Sequence, residues 1–353
     1  MHLHLQRFVV RKRVALTISR GTTAETTNLW VRVEAEGIEG WGEASPFSIG
    51  TQTQTTEEIA TALAQITPKL QPLHPLERTA IERVLAPLPS AARAAVDMAL
   101  YDWLGKRVKL PLWQIWGLDR ADIPPTSVTI GISSPEAARE RVKTWFDRPE
   151  IEGCLLKVKL GSPAGIKADR AMLKAVREVA PENTSIGVDA NGAWDLEEAI
   201  AMCGWLADLG VTSIEQPLAI EKDFLLAELC YESPLPIIVD ESCFVASDIY
   251  VLFESLEFCK GGINIKLMKS GGLTEAIRMI HMAKACDLQV MLGCYSNSAI
   301  ANSAAAQLSP LADYVDLDSH LNLANDPFTG ATLENGRLMP GTLPGLGLQN
   351  TPC

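Results

Sequence analysis

The chain has 353 residues, of which 47% are hydrophobic and 21% are charged, a composition typical of a soluble globular protein. Its formal net charge of −12 argues against a nucleic-acid or acidic-membrane partner, and no apolar run is long enough to span a bilayer. The first seven residues lack the basic and then apolar sequence of a signal peptide. The eight cysteines are scattered and form no CxxC motif, so we expect reduced thiols in a cytoplasmic protein.

Residues 1–118 are predicted to form an α+β domain that caps the remainder of the chain. Strand-like apolar and β-branched residues occur over 3–17 and 28–36, which indicates a small antiparallel sheet, and helices are expected to follow, one of them capped by Ser90. Two small, polar loops have the composition of mobile lids, with plain surface turns as the alternative; they span residues 19–23 and 48–53.

From about residue 121 the pattern changes to a strict alternation of strand and helix. Eight strands are predicted, at Ser127–Ile132, Cys154–Leu160, Ser185–Asp189, Thr212–Glu215, Ile237–Asp240, Gly262–Lys266, Gln289–Gly293 and Tyr314–Leu317. This series favours a (β/α)₈-type barrel over an open doubly wound sheet, because no Gly-rich phosphate loop follows an early strand. We assign residues 119–321 to the barrel and expect the Gly- and Pro-rich segment 322–353 to pack back on the capping domain.

Two lysines share one face of the second predicted barrel strand. Lys157 and Lys159 alternate with the apolar residues Leu156, Val158 and Leu160. A solvated edge strand is the simpler interpretation when the strand is taken alone. Inside a barrel, however, mutual repulsion and lost hydration would favour the neutral amine of at least one lysine, and a neutral lysine is a base.

Three carboxylates and a lysine end successive strands of the predicted barrel, at Asp189, Glu215, Asp240 and Lys266. They are 26, 25 and 26 residues apart, so each occupies the same place in its βα unit. Helix capping would explain one such acid, but three converging carboxylates would repel one another without a cation. Oxygen ligands without His or Cys predict one Mg²⁺ per subunit, with Mn²⁺ as the alternative; Asp240 keeps the inward phase of its strand, and Glu241 is the alternative ligand.

The lysines would act beside this metal site. Lys159 precedes the carboxylates in barrel order, and Lys266, which shares a strand face with Asn264, follows them. The α-carbon of a bound substrate carboxylate would lie between the two amines, so that one could remove the α-proton and the other return a proton to the opposite face. Mg²⁺ would stabilise the enediolate formed between, and Asn191 and Asn264 are candidates for orienting the ligands.

These motifs resemble the enolase superfamily, in its muconate-lactonizing-enzyme subgroup. The resemblance covers nearly the whole chain and rests on Lys157-Val158-Lys159, Val188-Asp189-Ala190-Asn191-Gly192, Ile214-Glu215-Gln216-Pro217, Val239-Asp240-Glu241-Ser242 and the run from Asn264 to Gly272. It implies an α/β fold, a modified (β/α)₇β TIM-type barrel whose last helix is missing or altered, with an N-terminal α+β capping domain. It also implies that Lys157 contacts the substrate carboxylate and tunes Lys159, that Lys159 and Lys266 form the acid/base pair, and that the metal ligands are Asp189, Glu215 and Asp240.

Within this subgroup, the last strand favours the dipeptide epimerases. Asp316 and Asp318 resemble their DxD motif, which binds the free α-ammonium of the first residue, and strand-end caps are the alternative. The resemblance to dipeptide epimerases that act on Ala-Glu implies that Arg20 in the first loop pairs with the distal glutamate carboxylate, and a solvated loop arginine is the alternative. Ser296 after the seventh strand is a further candidate for substrate contact. Asn297 departs from the pattern, since the resemblance to Ala-Glu enzymes implies Glu near this position.

We therefore expect a Mg²⁺-dependent dipeptide epimerase that acts on the α-carbon of the second residue, with L-Ala-D/L-Glu as the leading substrate. A cycloisomerase, an o-succinylbenzoate synthase or an N-acylamino-acid racemase of the same subgroup is the alternative, and a non-catalytic barrel is a further one. The expected partner is the small dipeptide, with neither nucleic acid nor membrane involved, and the resemblance implies a homo-oligomer.

Overall fold

The N-terminal part of the chain is a three-stranded antiparallel sheet covered by helices. The structure is a computed structural model that describes residues 1–50 and 52–350. The strands are β1 (His2–Ile18), β2 (Gly21–Ala35) and β3 (Ile38–Ala44), followed by the hairpin β4 (Phe47–Ile49) and β5 (Gln52–Gln54). The helices are α1 (Thr56–Leu70), α2 (Arg78–Leu85), α3 (Ser90–Val108) and α4 (Leu112–Ile115).

The prediction that Ser90 caps a helix is wrong by one residue. Ser90 is the first residue of α3, and Pro89 occupies the N-cap position without a side-chain hydrogen bond. The acceptor comes instead from β5, because Gln54 Oε1 accepts a hydrogen bond from the backbone amide of Ala91 at 3.0 Å. A neighbouring hairpin therefore satisfies the free amide that a local cap would otherwise take.

Eight parallel strands follow in sequential order around a barrel. They are β6 (Ser127–Ile130), β7 (Leu155–Lys159), β8 (Ile186–Asp189), β9 (Val211–Glu215), β10 (Ile237–Val239), β11 (Gly262–Lys266), β12 (Gln289–Gly293) and β13 (Tyr314–Asp316). A parallel bridge between Thr126 and Val315 joins the last strand to the first. All eight predicted strands are present, and the barrel is confirmed.

Seven of the strands lead into helices on the outside of the barrel, and the eighth does not. The helices are α5 (Pro135–Phe146), α6 (Ile166–Val179), α7 (Leu196–Asp208), α8 (Leu226–Glu232), α9 (Ala246–Leu256), α10 (Leu267–Ser270), α11 (Leu273–Ala285) and α12 (Ala299–Ala306). After β13 the chain makes only a short 3₁₀ turn over Ser319–Asn322. The expected (β/α)₇β barrel, with its last helix missing, is therefore confirmed.

The C-terminal segment contacts the N-terminal sheet and its helices. Its strands are β14 (Phe328–Thr329), β15 (Thr332–Glu334), β16 (Arg337–Met339) and β17 (Gln349–Asn350). Leu323 forms an antiparallel bridge with Lys12 of β1, and Leu112 donates its amide to the carbonyl of Gly345 at 3.1 Å. The division of the chain after residues 118 and 321 stays a prediction.

The cysteines of the described chain are free thiols, and five of them are buried: Cys154, Cys203, Cys230, Cys243 and Cys259. Cys353 lies outside the described residues. None of the helices in residues 1–50 and 52–350 combines the length and apolarity needed to cross a bilayer.

A close approach between α3 and β3 makes Gly42 a sensitive position for stability. A Cβ atom on Gly42 would lie 1.9 Å from the carbonyl oxygen of Ala95, which belongs to the helix backbone and has little room to move. We expect Gly42→Ala to lower the free energy of unfolding by about 2 kcal/mol or more, as measured by urea denaturation. Gly204→Ala is the control, because this helix position has no neighbour within 4 Å and alanine there should stabilise by about 0.5–1 kcal/mol. Equal stability of the two variants would contradict the argument.

Candidate active site

The C-terminal ends of the barrel strands carry a buried cluster of alternating charges. Strand register places Lys159 of β7 beside Asp189 of β8, and Asp189 beside Glu215 of β9. All the predicted charged residues of this cluster are buried: Lys157, Lys159, Asp189, Glu215, Asp240, Lys266, Asp316 and Asp318. Burial in a low-dielectric interior makes such charges depend on close partners, and the distances below show which partner each one has.

Lys157 lies at the centre of three carboxylates. Its Nζ is 2.5 Å from Glu215 Oε2, 2.6 Å from Asp316 Oδ2 and 3.4 Å from Asp189 Oδ2. Burial by itself would lower the pKa of Lys157, but the three carboxylates raise it well above its ordinary value. The crowding therefore does not make Lys157 the neutral amine, because acids from three other strands outweigh the repulsion from its neighbour, and a neutral amine on one of the two lysines stays a prediction.

Lys159 and Asp189 form the next pair, with Nζ 2.5 Å from Asp189 Oδ2. Burial would raise the pKa of Asp189, but the ammonium groups of Lys159, Lys157 and Lys266 hold it far below its usual range. The second oxygen of Asp189 accepts a hydrogen bond from the backbone amide of Asn191 at 2.8 Å. Asp189 is therefore ionised and held in one orientation by its neighbours.

Asp240 is held by two lysines, of which one was not foreseen as a site residue. Lys266 Nζ lies 2.6 Å from Asp240 Oδ2, and Lys269 Nζ lies 2.7 Å from Asp240 Oδ1. Lys269 is fully buried, and it also donates to the backbone carbonyls of Asp240 and Asn264. The signal in the sequence is that Lys269 follows Lys266 by three residues, because one turn of α10 then places both side chains on the side of Asp240.

Glu215 Oε2 lies close to Lys157 Nζ, but the angle between them is unsuitable for a hydrogen bond, so this buried oxygen accepts none. Its other oxygen accepts from Asn264 Nδ2 at 3.0 Å. Burial raises the pKa of Glu215 to about 8, and the charge of Asp189 adds to this effect while Lys157 opposes it. Further buried oxygens of the cluster are also without partners, on Asn191, Glu241 and Asn264.

The residues at these strand ends offer the oxygen donor atoms that a hard divalent cation prefers. Asp189, Glu215 and Asp240 come from neighbouring strands, all their donor atoms are oxygens, and unpartnered oxygens lie among them. Within the described residues, no three side chains of His, Cys, Asp or Glu converge in metal-ligand geometry, and lysine ammonium groups lie against oxygens of Asp189 and Asp240. The donor set therefore fits Mg²⁺, and a cation would compete with the lysines for these oxygens.

A cavity of about 590 Å³ opens above the cluster, between the barrel and the N-terminal sheet. Lys159 and Lys266 both line it. The ring of Tyr295 lies against Lys266, with Nζ 4.9 Å from the ring centroid, and stacks on Phe47 of β4 at 5.1 Å. The second predicted loop, residues 48–53, therefore belongs to a hairpin whose first residue, Phe47, covers one wall of the cavity. Thr51 of this loop lies outside the described residues.

Asp316 and Asp318 line the same cavity, as strand alternation predicted. Asp316 is largely occupied, since its Oδ2 accepts from Lys157 and its Oδ1 accepts from Ser127 Oγ at 2.8 Å. Asp318 is less engaged, since its Oδ2 accepts from the backbone amide of Thr129 at 2.7 Å and no lysine or arginine of the described residues forms an ion pair with it. Burial raises the pKa of Asp318 to about 6, and the neighbouring charge of Asp316 adds to the shift. Asp318 is therefore the carboxylate of this pair with free capacity for a cation.

Two predicted substrate contacts already have protein partners. Arg20 Nη1 donates to Glu241 Oε1 at 2.8 Å and to the carbonyl of Asn191 at 3.1 Å, and 38% of its side chain remains exposed. Ser296 lines the cavity, and its hydroxyl accepts a hydrogen bond from Lys12 of β1. Sequence reasoning did not single out Lys12, because nothing in the pattern of β1 indicates which residue faces the barrel.

Comparison with known proteins identifies the family. Residues 4–117 match the mandelate racemase/muconate lactonizing enzyme N-terminal domain, and residues 138–352 match the enolase C-terminal domain-like family. A protein of Roseobacter litoralis named hydrophobic dipeptide epimerase is 42% identical over 342 residues, which cover 96% of each chain.

Two solved structures are similar over the full fold. The substrate-liganded L-Ala-D/L-Glu epimerase of Bacillus subtilis has a TM-score of 0.92 and 27% identity, with 100% of this chain and 99% of that chain covered. The dipeptide epimerase of Enterococcus faecalis, complexed with Mg and the dipeptide L-Leu-L-Tyr, has a TM-score of 0.89 and 29% identity, with 99% of each chain covered. The chain thus belongs to the mandelate racemase/muconate lactonizing enzyme family of the enolase superfamily, as an isomerase of the racemase and epimerase kind.

Proposed function

We propose that the protein is a Mg²⁺-dependent dipeptide epimerase that inverts the α-carbon of the second residue. The observation that carries the proposal is one cavity lined both by two lysines, Lys159 and Lys266, and by two carboxylates, Asp316 and Asp318. The lysines suit proton transfer at a carbon acid, and the carboxylates suit the free ammonium of a peptide. The relatives named dipeptide epimerases support the same reading.

Asp189, Glu215 and Asp240 would hold the metal, with Asn191 and Asn264 orienting the carboxylates through the contacts described above. Mg²⁺ held there would supply positive charge that acidifies the substrate α-proton, and it would compete with the lysines for the carboxylate oxygens. Glu241, which is paired with Arg20, is the alternative ligand.

The chain's own groups then move the proton. Nζ of one lysine, Lys159 or Lys266, takes the α-proton as a neutral amine, and Nζ of the other delivers a proton to the opposite face. Lys157, held as an ammonium by its carboxylates, contacts the substrate carboxylate. Asp318, together with Asp316, binds the ammonium of the first residue. Tyr295 and Phe47 exclude water beside Lys266.

The leading substrate in this proposal is L-Ala-D/L-Glu, because Arg20 lines the cavity and part of its side chain remains exposed. One observation favours dipeptides with an apolar second residue as the second candidate. Glu241 already neutralises Arg20, so a substrate glutamate would have to share the guanidinium with a buried carboxylate. Direct comparison of L-Ala-L-Glu with L-Ala-L-Leu as substrates distinguishes the two.

The proposal also includes one Mg²⁺ per subunit, a homo-oligomer in solution, and the division into a capping domain (1–118), a barrel (119–321) and a returning segment (322–353). In this division the barrel supplies the proton-transfer groups, and the capping domain supplies Arg20 and Phe47 to the cavity wall. Light scattering measures the assembly, and calorimetric titration measures the metal stoichiometry.

Removal of the metal tests the proposed function. We expect protein treated with a chelator and then dialysed to lose epimerisation of L-Ala-L-Glu and L-Ala-L-Leu, followed by proton NMR in D₂O, and to regain it with added Mg²⁺. Because a ligand that binds the folded state stabilises it, Mg²⁺ should also raise the melting temperature of the metal-free protein, and Glu215→Gln should diminish that rise. Undiminished turnover after complete chelation would contradict the proposal.

A further inference from the structure

Two cations that lack an ion-pair partner within the described residues line the end of the cavity next to Asp318. Lys12 projects into the cavity from β1 and is half-buried, and its Nζ donates to the hydroxyl of Ser296. It forms no ion pair with any carboxylate of the described chain, although the charge of Asp318 attracts it at longer range. The bridge between Lys12 and Leu323, and the bond from the amide of Ala324 to the carbonyl of Arg11, fix the backbone at this point.

Arg141 of α5 lines the same cavity and is also half-buried. Its guanidinium stacks on Trp145, 4.2 Å from the ring centroid, and donates to Asn322 Oδ1 at 3.3 Å. Like Lys12, it forms no ion pair within the described residues, and Asp318 is the carboxylate that attracts it. Burial lowers the pKa of both Lys12 and Arg141, which is the expected response of cations that lack a close counter-ion.

The charges at this end of the cavity do not balance when a dipeptide is bound. Asp316 is hydrogen-bonded to Lys157 and Ser127, so Asp318 is the carboxylate with the greater free capacity for Lys12, Arg141 and the substrate ammonium. Three cations would then lie beside the Asp316–Asp318 pair, one member of which is already shared with Lys157, in a partly desolvated space, and this arrangement favours the entry of a further anion. The side chain of the first residue starts at the carbon that bears the ammonium, so it must lie close to Asp318 and hence to these cations.

We propose that Lys12, assisted by Arg141, selects dipeptides whose first residue is acidic, L-Asp or L-Glu. This inference rests on the proposed function, since it takes the ammonium of the first residue to be bound at Asp318. The substrate carboxylate binds Lys12 Nζ in place of, or together with, the hydroxyl of Ser296. The proposal is independent of which second residue the enzyme prefers, and it ranks L-Asp or L-Glu above the L-Ala of the leading substrate at the first position.

Substrates that differ only in charge test the proposal. We would compare kcat/KM for L-Glu-L-Leu with L-Gln-L-Leu, and for L-Asp-L-Leu with L-Asn-L-Leu, in the Mg²⁺-loaded protein. One charge-assisted hydrogen bond should favour the acidic member of at least one pair by about tenfold. Lys12→Met should reduce this preference to about twofold or less, whereas Arg13→Met should leave it unchanged, because Arg13 is the adjacent exposed cation and does not line the cavity.

Two other outcomes have distinct meanings. Equal kcat/KM within both pairs, or a preference that Lys12→Met leaves intact, overturns the role of Lys12 while the proposed function stands. If no dipeptide is epimerised, the proposed function fails, and binding of the same four dipeptides measured by calorimetry still decides the role of Lys12. Tighter binding of an acidic dipeptide than of its amide, lost in Lys12→Met, supports the inference, and equal binding overturns it.

Discussion

Lys266→Ala is expected to abolish epimerisation of every dipeptide substrate, with a loss of about 10³-fold or more in kcat. General acid–base catalysis by one positioned side chain contributes typically 10²- to 10⁴-fold, and inversion needs both lysines in the same turnover. The fold should survive the change, because Asp240 keeps Lys269 at 2.7 Å when Lys266 is removed. The loss would therefore reflect chemistry at the cavity rather than a collapsed site.

Hydrogen exchange in D₂O gives this prediction a sharper form. With Lys266 absent, Lys159 can still remove and return a proton on its own face, so the α-proton of one diastereomer should exchange without inversion. Lys159→Ala should show the opposite preference, with exchange confined to the other diastereomer. Lys174→Ala, an exposed lysine on α6, is the control and should behave as wild type. Inversion at the wild-type rate in either Lys266→Ala or Lys159→Ala would contradict the two-lysine mechanism.

Asp318→Asn is expected to lower kcat/KM for dipeptides by about 10²-fold, mostly through KM. The asparagine oxygen can still accept from the amide of Thr129, so the change removes the charge and preserves the shape. Loss of one partner of a desolvated ammonium–carboxylate pair costs about 2–5 kcal/mol of binding. Asp316→Asn, which also removes one charge, should raise KM less than Asp318→Asn does, since Asp316 is already engaged by Lys157 and Ser127.

The pH profile supplies an independent check of the same residue. The pKa of Asp318 is raised to about 6, so its carboxylate is charged above that pH and protonated below it. We expect KM for dipeptides to rise as the pH falls through about 6 in the wild type and to lose this dependence in Asp318→Asn. If Asp318→Asn epimerises dipeptides normally, the ammonium role is wrong, and a cycloisomerase, succinylbenzoate synthase or N-acylamino-acid racemase becomes the better reading.

The barrel was predictable because its signals are local. Each strand is a short apolar run, each helix returns the chain to the same edge, and the βα repeat therefore brings residues 25 or 26 apart in sequence to equivalent strand ends. The residues predicted to meet, from Lys159 to Lys266, do lie in one buried cluster. Their catalytic and ligand roles stay predictions, since position alone does not assign chemistry.

The protonation of Lys157 could not be predicted from its own strand. Two lysines on one strand face favour a neutral amine on at least one of them, without indicating which. The raised pKa of Lys157 comes from Asp316, which is 159 residues away in sequence, and from Glu215. Charge balance inside a barrel depends on all the strands together, so neighbouring residues are a poor guide to it.

The sequence by itself determined the fold class, the strand ends that carry charge and the shared face of Asp316 and Asp318, because alternation and repeat length act over a few residues. Only the tertiary structure decided that Lys269 holds Asp240, that Arg20 is paired with Glu241, and that Lys12 reaches the cavity. The contact of Lys269 forms between α10 and the end of the neighbouring strand β10, whereas those of Arg20 and Lys12 follow from the docking of the N-terminal sheet on the barrel. No periodicity along the chain encodes that docking.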